Sequence, residues 1–179
     1  MSSTTLAPLA GPGCSVRLVT DGDYLPTLRD MVARSTWRCL ASVFIVDLSP
    51  SRDGSLAVDD LLLDLQEARW RGVDVRLVIG GSRENIEIAE ISDAARARAL
   101  QLGIPCRWLA SRKVRGSHVK LVVADDEVLT GSHNWSPGAF GSGQTQDSLW
   151  LASGDLAAHL ASQFRRQWRR ADEAAGEGA

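Results

Sequence analysis

Residues His118 to Asn134 read HVKLVVADDEVLTGSHN. Within this stretch Val119, Leu121, Val122, Val123 and Ala124 fill an apolar run of strand length. Side chains alternate faces along a strand, so His118 and Lys120 point the same way, roughly 7 Å apart along the rise. Asp125 has the opposite parity and is expected to turn away, binding backbone donors at the strand end. Val128 to Ser132 reads as the returning strand, and Ser132 and Asn134 share a face while His133 points to the other. A histidine, a lysine, a hydroxyl and an amide converging on one spot make an anion site that contains a nucleophile. That constellation suits a phosphate diester.

The flanks set this hairpin into an alternating chain. Val16 to Thr20 is a short strand, and Tyr24 to Arg38 carries Leu25, Leu28 and Val32 at helical spacing. Leu40 to Leu48 is a near-continuous apolar run, as expected of a central strand covered on both faces. Val58 to Arg71 is a helix with Leu61, Leu62, Leu65 and Ala68 on its stripe, ended by Gly72. Val73 to Ile79 is a strand that Gly80-Gly81-Ser82 breaks. A third helix runs through Ile88, Ile91, Ala95, Ala99 and Leu102, and Pro105 to Leu109 is a strand. After the motif, Ser148 to Ala152 is a strand, and Leu156, Leu160, Phe164 and Trp168 mark a long C-terminal helix. Its arginines, Arg165, Arg166, Arg169 and Arg170, are expected to sit at the negative end of the helix dipole. The fold expected is α/β, a mixed central sheet flanked by helices on both faces. Residues 1–14 are expected to be disordered, 15–171 to form one domain, and 172–179 to be a flexible tail.

A net charge of −2 over 179 residues gives no global field for a polyanion, so affinity for one must be local. The basic loop Arg112-Lys113-Val114-Arg115 leads straight into His118 and can supply that field. The chain has only two lysines, Lys113 and Lys120, both in or near the motif. Trp135, next to Asn134, is a candidate to stack on a base, against the alternative of core packing. The cysteines Cys14, Cys39 and Cys106 have no metal-ligand spacing and read as reduced thiols of a cytoplasmic protein. The first residues lack a charged segment followed by an apolar run, so neither a signal peptide nor stable membrane association is expected.

The pattern H-x-K-x-x-x-x-D at His118, Lys120 and Asp125, followed by G-S-x-N at Gly131, Ser132 and Asn134, resembles the signature of the phospholipase D superfamily. The order of strands and helices over most of the chain fits one such domain. A short chain with one motif is similar to the bacterial nuclease branch, whose members pair so that two motifs face each other. The resemblance implies a homodimer through the active-site face. It implies that His118 attacks phosphorus and forms a phosphohistidine, while the partner's copy protonates the leaving oxygen. Lys120 and Asn134 would hold the non-bridging oxygens, with Ser132 adding a hydrogen bond. Asp147, in QTQDSLWL, matches the acid that orients the nucleophilic ring. No metal or other cofactor is implied. This sequence departs from the pattern in having five residues between Asp125 and Gly131, one fewer than usual, and in having His133 where an apolar residue is common.

The function expected first is therefore a metal-independent phosphodiesterase acting on nucleic acid, DNA or RNA, as an endonuclease. A phospholipase or phosphatidyl transferase is the alternative in the lipid class, and a nuclease subunit of a restriction or defence complex is a variant of the first. A non-catalytic binding module is disfavoured by the intact His118, Lys120 and Asn134.

Overall fold

The apolar runs become strands of one mixed sheet in the computed structural model, which describes residues 9–11, 13–82, 84–109, 117–141 and 145–176, with backbone only at 9–11 and 172–176. Strands β1 (Leu9–Gly11) and β2 (Cys14–Thr20) precede helix α1 (Tyr24–Arg34). Then β3 (Arg38–Val43), α2 (Ala57–Trp70), β4 (Asp74–Ile79), α3 (Ile86–Gln101) and β5 (Cys106–Trp108) alternate. The hairpin of the motif is β6 (Lys120–Ala124) and β7 (Glu127–Gly131). A short α4 (Pro137–Phe140), β8 (Asp147–Ala152) and the long α5 (Gly154–Gly176) complete the chain. The strand order is β1-β2-β8-β7-β6-β3-β4-β5, parallel only where β3, β4 and β5 are joined by helical crossovers.

The two faces are covered unequally. The apolar stripes of α1, α2 and α3 (Leu28, Met31, Leu61, Leu65, Ala95, Ala99) join Cys39, Ala41, Val43 and Val122 in one core. On the other face α5 places Ala157, Ala161 and Phe164 on Leu40, Val78, Leu121, Val123 and Val128. It crosses β3 to β7, with Leu151 of β8 at its margin, and leaves part of the β8–β2 flank uncovered. There Leu18 and Leu149 are cross-strand partners that remain 42% and 43% exposed.

Three expectations change. The N-terminal segment expected to be disordered contributes β1, whose Leu9, Ala10 and Gly11 pair with Val16, Ser15 and Cys14 and extend the sheet. The apolar run Leu40 to Leu48 is not one strand. β3 ends at Val43, and Val46 then makes a separate bridge to Trp135. The C-terminal helix runs to Gly176, past the tail expected from 172, so Arg165 to Arg170 do not occupy its last turn.

Parallel β3 and β4 both point their carboxyl ends toward the start of β6, since Val43 pairs with Lys120 and Ile79. In open α/β sheets that end is where ligands bind. His118, two residues before Lys120, stands on it.

Candidate active site

At this end the chain brings together three of the predicted groups. The ring of His118 is exposed. Lys120 is 7% exposed as a residue, and its ammonium lies 3.3 Å from each ring nitrogen of His118 and donates to the His118 carbonyl oxygen at 3.2 Å. Burial lowers the Lys120 pKa. The Oδ1 of Asn134 accepts the backbone N–H of Ile45 at 3.2 Å, which fixes the amide orientation. Its Nδ2 therefore remains a donor, and among the described residues nothing takes it up.

The split of the Leu40 to Leu48 run explains how Asn134 is held. After Val43 the chain leaves the sheet, and Ile45 O accepts from Trp135 N while Trp135 O accepts from Asp47 N. The G-S-x-N segment is thus stitched to the extension of β3. Phe44, between the two pieces, rests its ring 4.5 Å from that of His118 and 5.1 Å from Lys120 Nζ, centroid to centroid and centroid to nitrogen respectively. Nothing in the sequence periodicity marks Phe44 out, because the contact arises from β3 lying beside β6.

Two glycines hold the backbone close. A Cβ on Gly131 would run into the Asp147 carbonyl and Ser148 where β8 crosses. A Cβ on Gly80 would run into the carbonyl of Ser117, the residue before His118. The sequence marks Gly80 only as a strand breaker, but its further role is to let this segment pass. Gly80→Ala is expected to push Ser117 and His118 out of place, lowering turnover at least about tenfold with a stability loss of about 1–3 kcal/mol. Initial rates and a denaturant melt check this.

Other expected site residues are placed differently. Ser132 is exposed, but its hydroxyl donates to the Asp147 carbonyl oxygen and accepts from Asp147 N–H, each at 3.1 Å. Its one proton is committed, so it braces β7 against β8 rather than facing a phosphate. Asp147 does not orient His118 within one chain. Thr130 pairs with both Leu121 and Leu149, so Asp147 has the parity of Leu121, opposite to Lys120. No hydrogen bond joins Asp147 to His118 among the described residues. Trp135 is fully buried and donates from Nε1 to the Tyr24 hydroxyl at 3.3 Å, which removes it as a stacking platform for a base. Arg112, Lys113 and Arg115 lie outside the described residues.

His133 turns into the core, as its alternation with Ser132 and Asn134 implies. It is 0% exposed, stacks on Tyr24 at 4.2 Å and shares a 2.8 Å hydrogen bond between Nδ1 and Ser148 Oγ. Burial lowers its pKa, opposed by the Asp21 backbone and the charges of Asp21 and Asp147. Asp125 also does what its parity implies. Its carboxylate accepts from Thr36 N, Thr36 Oγ1, Trp37 N and Arg38 N at 2.7–3.1 Å, at the far end of β6 from His118.

A mixed sheet with a histidine–lysine pair at the carboxyl ends of its parallel strands, answered by an amide from the next turn, defines a phospholipase D-like domain. A family model described as cardiolipin synthase, PLD-like domain, matches residues 28–168. The chain belongs to that family, within the phospholipase D-like phosphodiesterase superfamily. No curated protein sequence matches it. Among solved structures it is similar to Nuc, a phospholipase D family member from Salmonella typhimurium, with a TM-score of 0.69 and 21% identity over 88% of this chain and 95% of that one. NucT from Helicobacter pylori gives 0.62 and 16% over 88% and 97%. Phosphatidylserine synthase from Haemophilus influenzae gives 0.59 and 15% over 89% of this chain and 37% of that one.

Proposed function

We propose that the protein is a metal-independent endonuclease that hydrolyses phosphodiester bonds of DNA or RNA. The observation that carries this reading is the contact of Lys120 Nζ with His118, with the Asn134 amide fixed on the same end of the sheet. Lys120 sits against the imidazole. A phosphate diester draws the ammonium onto a non-bridging oxygen, and a ring nitrogen of His118 attacks phosphorus. The new N–P bond forms as the bond to the leaving oxygen breaks. His118 of the partner subunit gives that oxygen a proton, then takes one from the water that hydrolyses the phosphohistidine. Lys120 and the Asn134 amide hold the oxygens on which charge accumulates.

Pairing of two chains through the active-site side is part of the proposal. The apolar surface assigned to that pairing is the sheet face that α5 leaves open, which flanks the site on the side opposite to Lys120 and where Leu18 and Leu149 are exposed. Leu149→Arg is expected to give a monomer by light scattering and to lower activity at least about 100-fold, because a buried unpaired charge opposes pairing. A fully active dimer of this variant would put the pairing surface elsewhere.

A lipid-directed reading has its own support. The family model carries the name of a cardiolipin synthase domain, and Leu56 and Ile86 at the starts of α2 and α3 are 49% and 73% exposed on the site end of the sheet. The deciding experiment offers labelled single- and double-stranded DNA, RNA and phosphatidylcholine vesicles in excess EDTA. Cleavage of nucleic acid supports the nuclease reading. Cleavage of lipid alone replaces it with the second one, and a strict need for metal removes both mechanisms.

No helix among the described residues is long and apolar enough to cross a membrane. Assembly into a larger complex and a cytoplasmic location remain proposals alongside the nuclease reading.

A further inference from the structure

Lys120 is a buried residue, yet no carboxylate pairs with its ammonium among the described residues. A buried cation normally needs a compensating partner. Its contacts are the imidazole of His118, the His118 carbonyl and the ring of Phe44. The same ring lies against His118 at an interplanar angle of 48°. Phe44 is itself held on both sides. Its carbonyl accepts from Gly81 N at 2.8 Å, and the next residue, Ile45, gives its N–H to Asn134. One position therefore touches the nucleophile and the cation directly and adjoins the residue that sets the amide.

We propose that Phe44 is a positioning residue of this site: its ring holds the Lys120 ammonium where no acid does and forms the wall against which the His118 imidazole is set. The inference rests on the reading of His118 and Lys120 as the reacting pair. The negative face of an aromatic ring attracts an ammonium, and more strongly when water is excluded. A phosphate oxygen can displace that weak attraction, whereas a carboxylate would compete with the substrate for Lys120. An aromatic partner thus keeps the ammonium charged and in place, but releasable. Burial is the cause of the lowered Lys120 pKa, and the ring acts against it.

The test is a titration of the lysine ε-carbon by NMR, on the full chain without substrate. With only Lys113 and Lys120 in the sequence, Lys113→Arg assigns both signals. Phe44→Leu should lower the Lys120 midpoint by about half a pH unit to one unit, and Phe44→Tyr should restore it. The basic limb of the rate profile should move with the midpoint in each variant. An unchanged midpoint in Phe44→Leu, or an equal shift in Phe44→Tyr, overturns the proposal. If Phe44→Leu fails to fold, Phe44→Met carries the same expectation. Because the midpoint needs no substrate, it still decides the role of Phe44 if wild-type protein cleaves no phosphodiester. That second failure would count against the proposed activity instead.

Discussion

His118→Ala should lower phosphodiester cleavage at least about 10⁴-fold, the scale of loss when a nucleophile and the group acting with it are removed. The reason is doubled by the proposed pairing. At the shared site one copy of the residue serves as nucleophile and the other as acid and base, so one substitution removes both roles. The fold should not notice. The ring is exposed and lies against Lys120 and Phe44, so stability should stay within about 0.5 kcal/mol of wild type. Removing it also relieves no buried charge pair, because Lys120 has no carboxylate partner there. Initial rates in EDTA, beside a thermal melt, check the two halves together. A variant that cuts within tenfold of wild type would remove His118 from the chemistry.

Asp125→Ala should do the reverse, costing about 2–4 kcal/mol of stability while sparing the rate per folded molecule. The carboxylate ties the β6–β7 turn to the segment between α1 and β3, through Thr36 N at 2.7 Å, Thr36 Oγ1 at 2.9 Å, and Trp37 N and Arg38 N at 3.1 Å each. Hydrogen bonds to a charged group contribute about 1.5–3 kcal/mol each, and water replaces part of that at a half-buried turn. The residue also has a φ of 49°, which aspartate and asparagine tolerate better than alanine. Asp125→Asn should therefore fall between wild type and Ala. Burial alone would raise the Asp125 pKa, but the donors of Arg38, Thr36 and Trp37 outweigh it and leave it lowered. The unfolded chain therefore takes up the proton first. This contribution is whole above the unfolded value of about 3.9 and is lost as pH falls through the lower folded value. Urea melts between neutral and acid pH measure it, with the Ala variant losing less on acidification than wild type. Equal acid sensitivity would remove Asp125 from that role.

Strand parity alone was enough to separate His118 and Lys120 from Asp125, and Asn134 from His133, because alternation is a property of a single strand. It could not place residues whose role comes from a neighbouring strand. The resemblance assigns Asp147 the role of the orienting acid, yet the pairing of Thr130 with Leu149 turns it to the other face. Ser132 looked like a phosphate donor until β8 came alongside and used its hydroxyl. Phe44 and Gly80 lay unremarked in an apolar run and a glycine pair, since their contacts with His118 and Ser117 need β3, β4 and β6 in register. The N-terminal strand was hidden for another reason. Leu9 to Gly11 has no alternation to detect, and only the exposed edge of β2 gives it a partner.

Covalent capture tests the central claim most directly. Wild-type protein is mixed with excess labelled substrate in EDTA, stopped in denaturant within the first turnover, and digested under alkaline conditions that preserve phosphohistidine. The account predicts a phosphoryl adduct on the peptide containing His118, lost on brief acid treatment and missing from His118→Ala. An adduct on another residue, or rapid turnover with no adduct at any time, would contradict it.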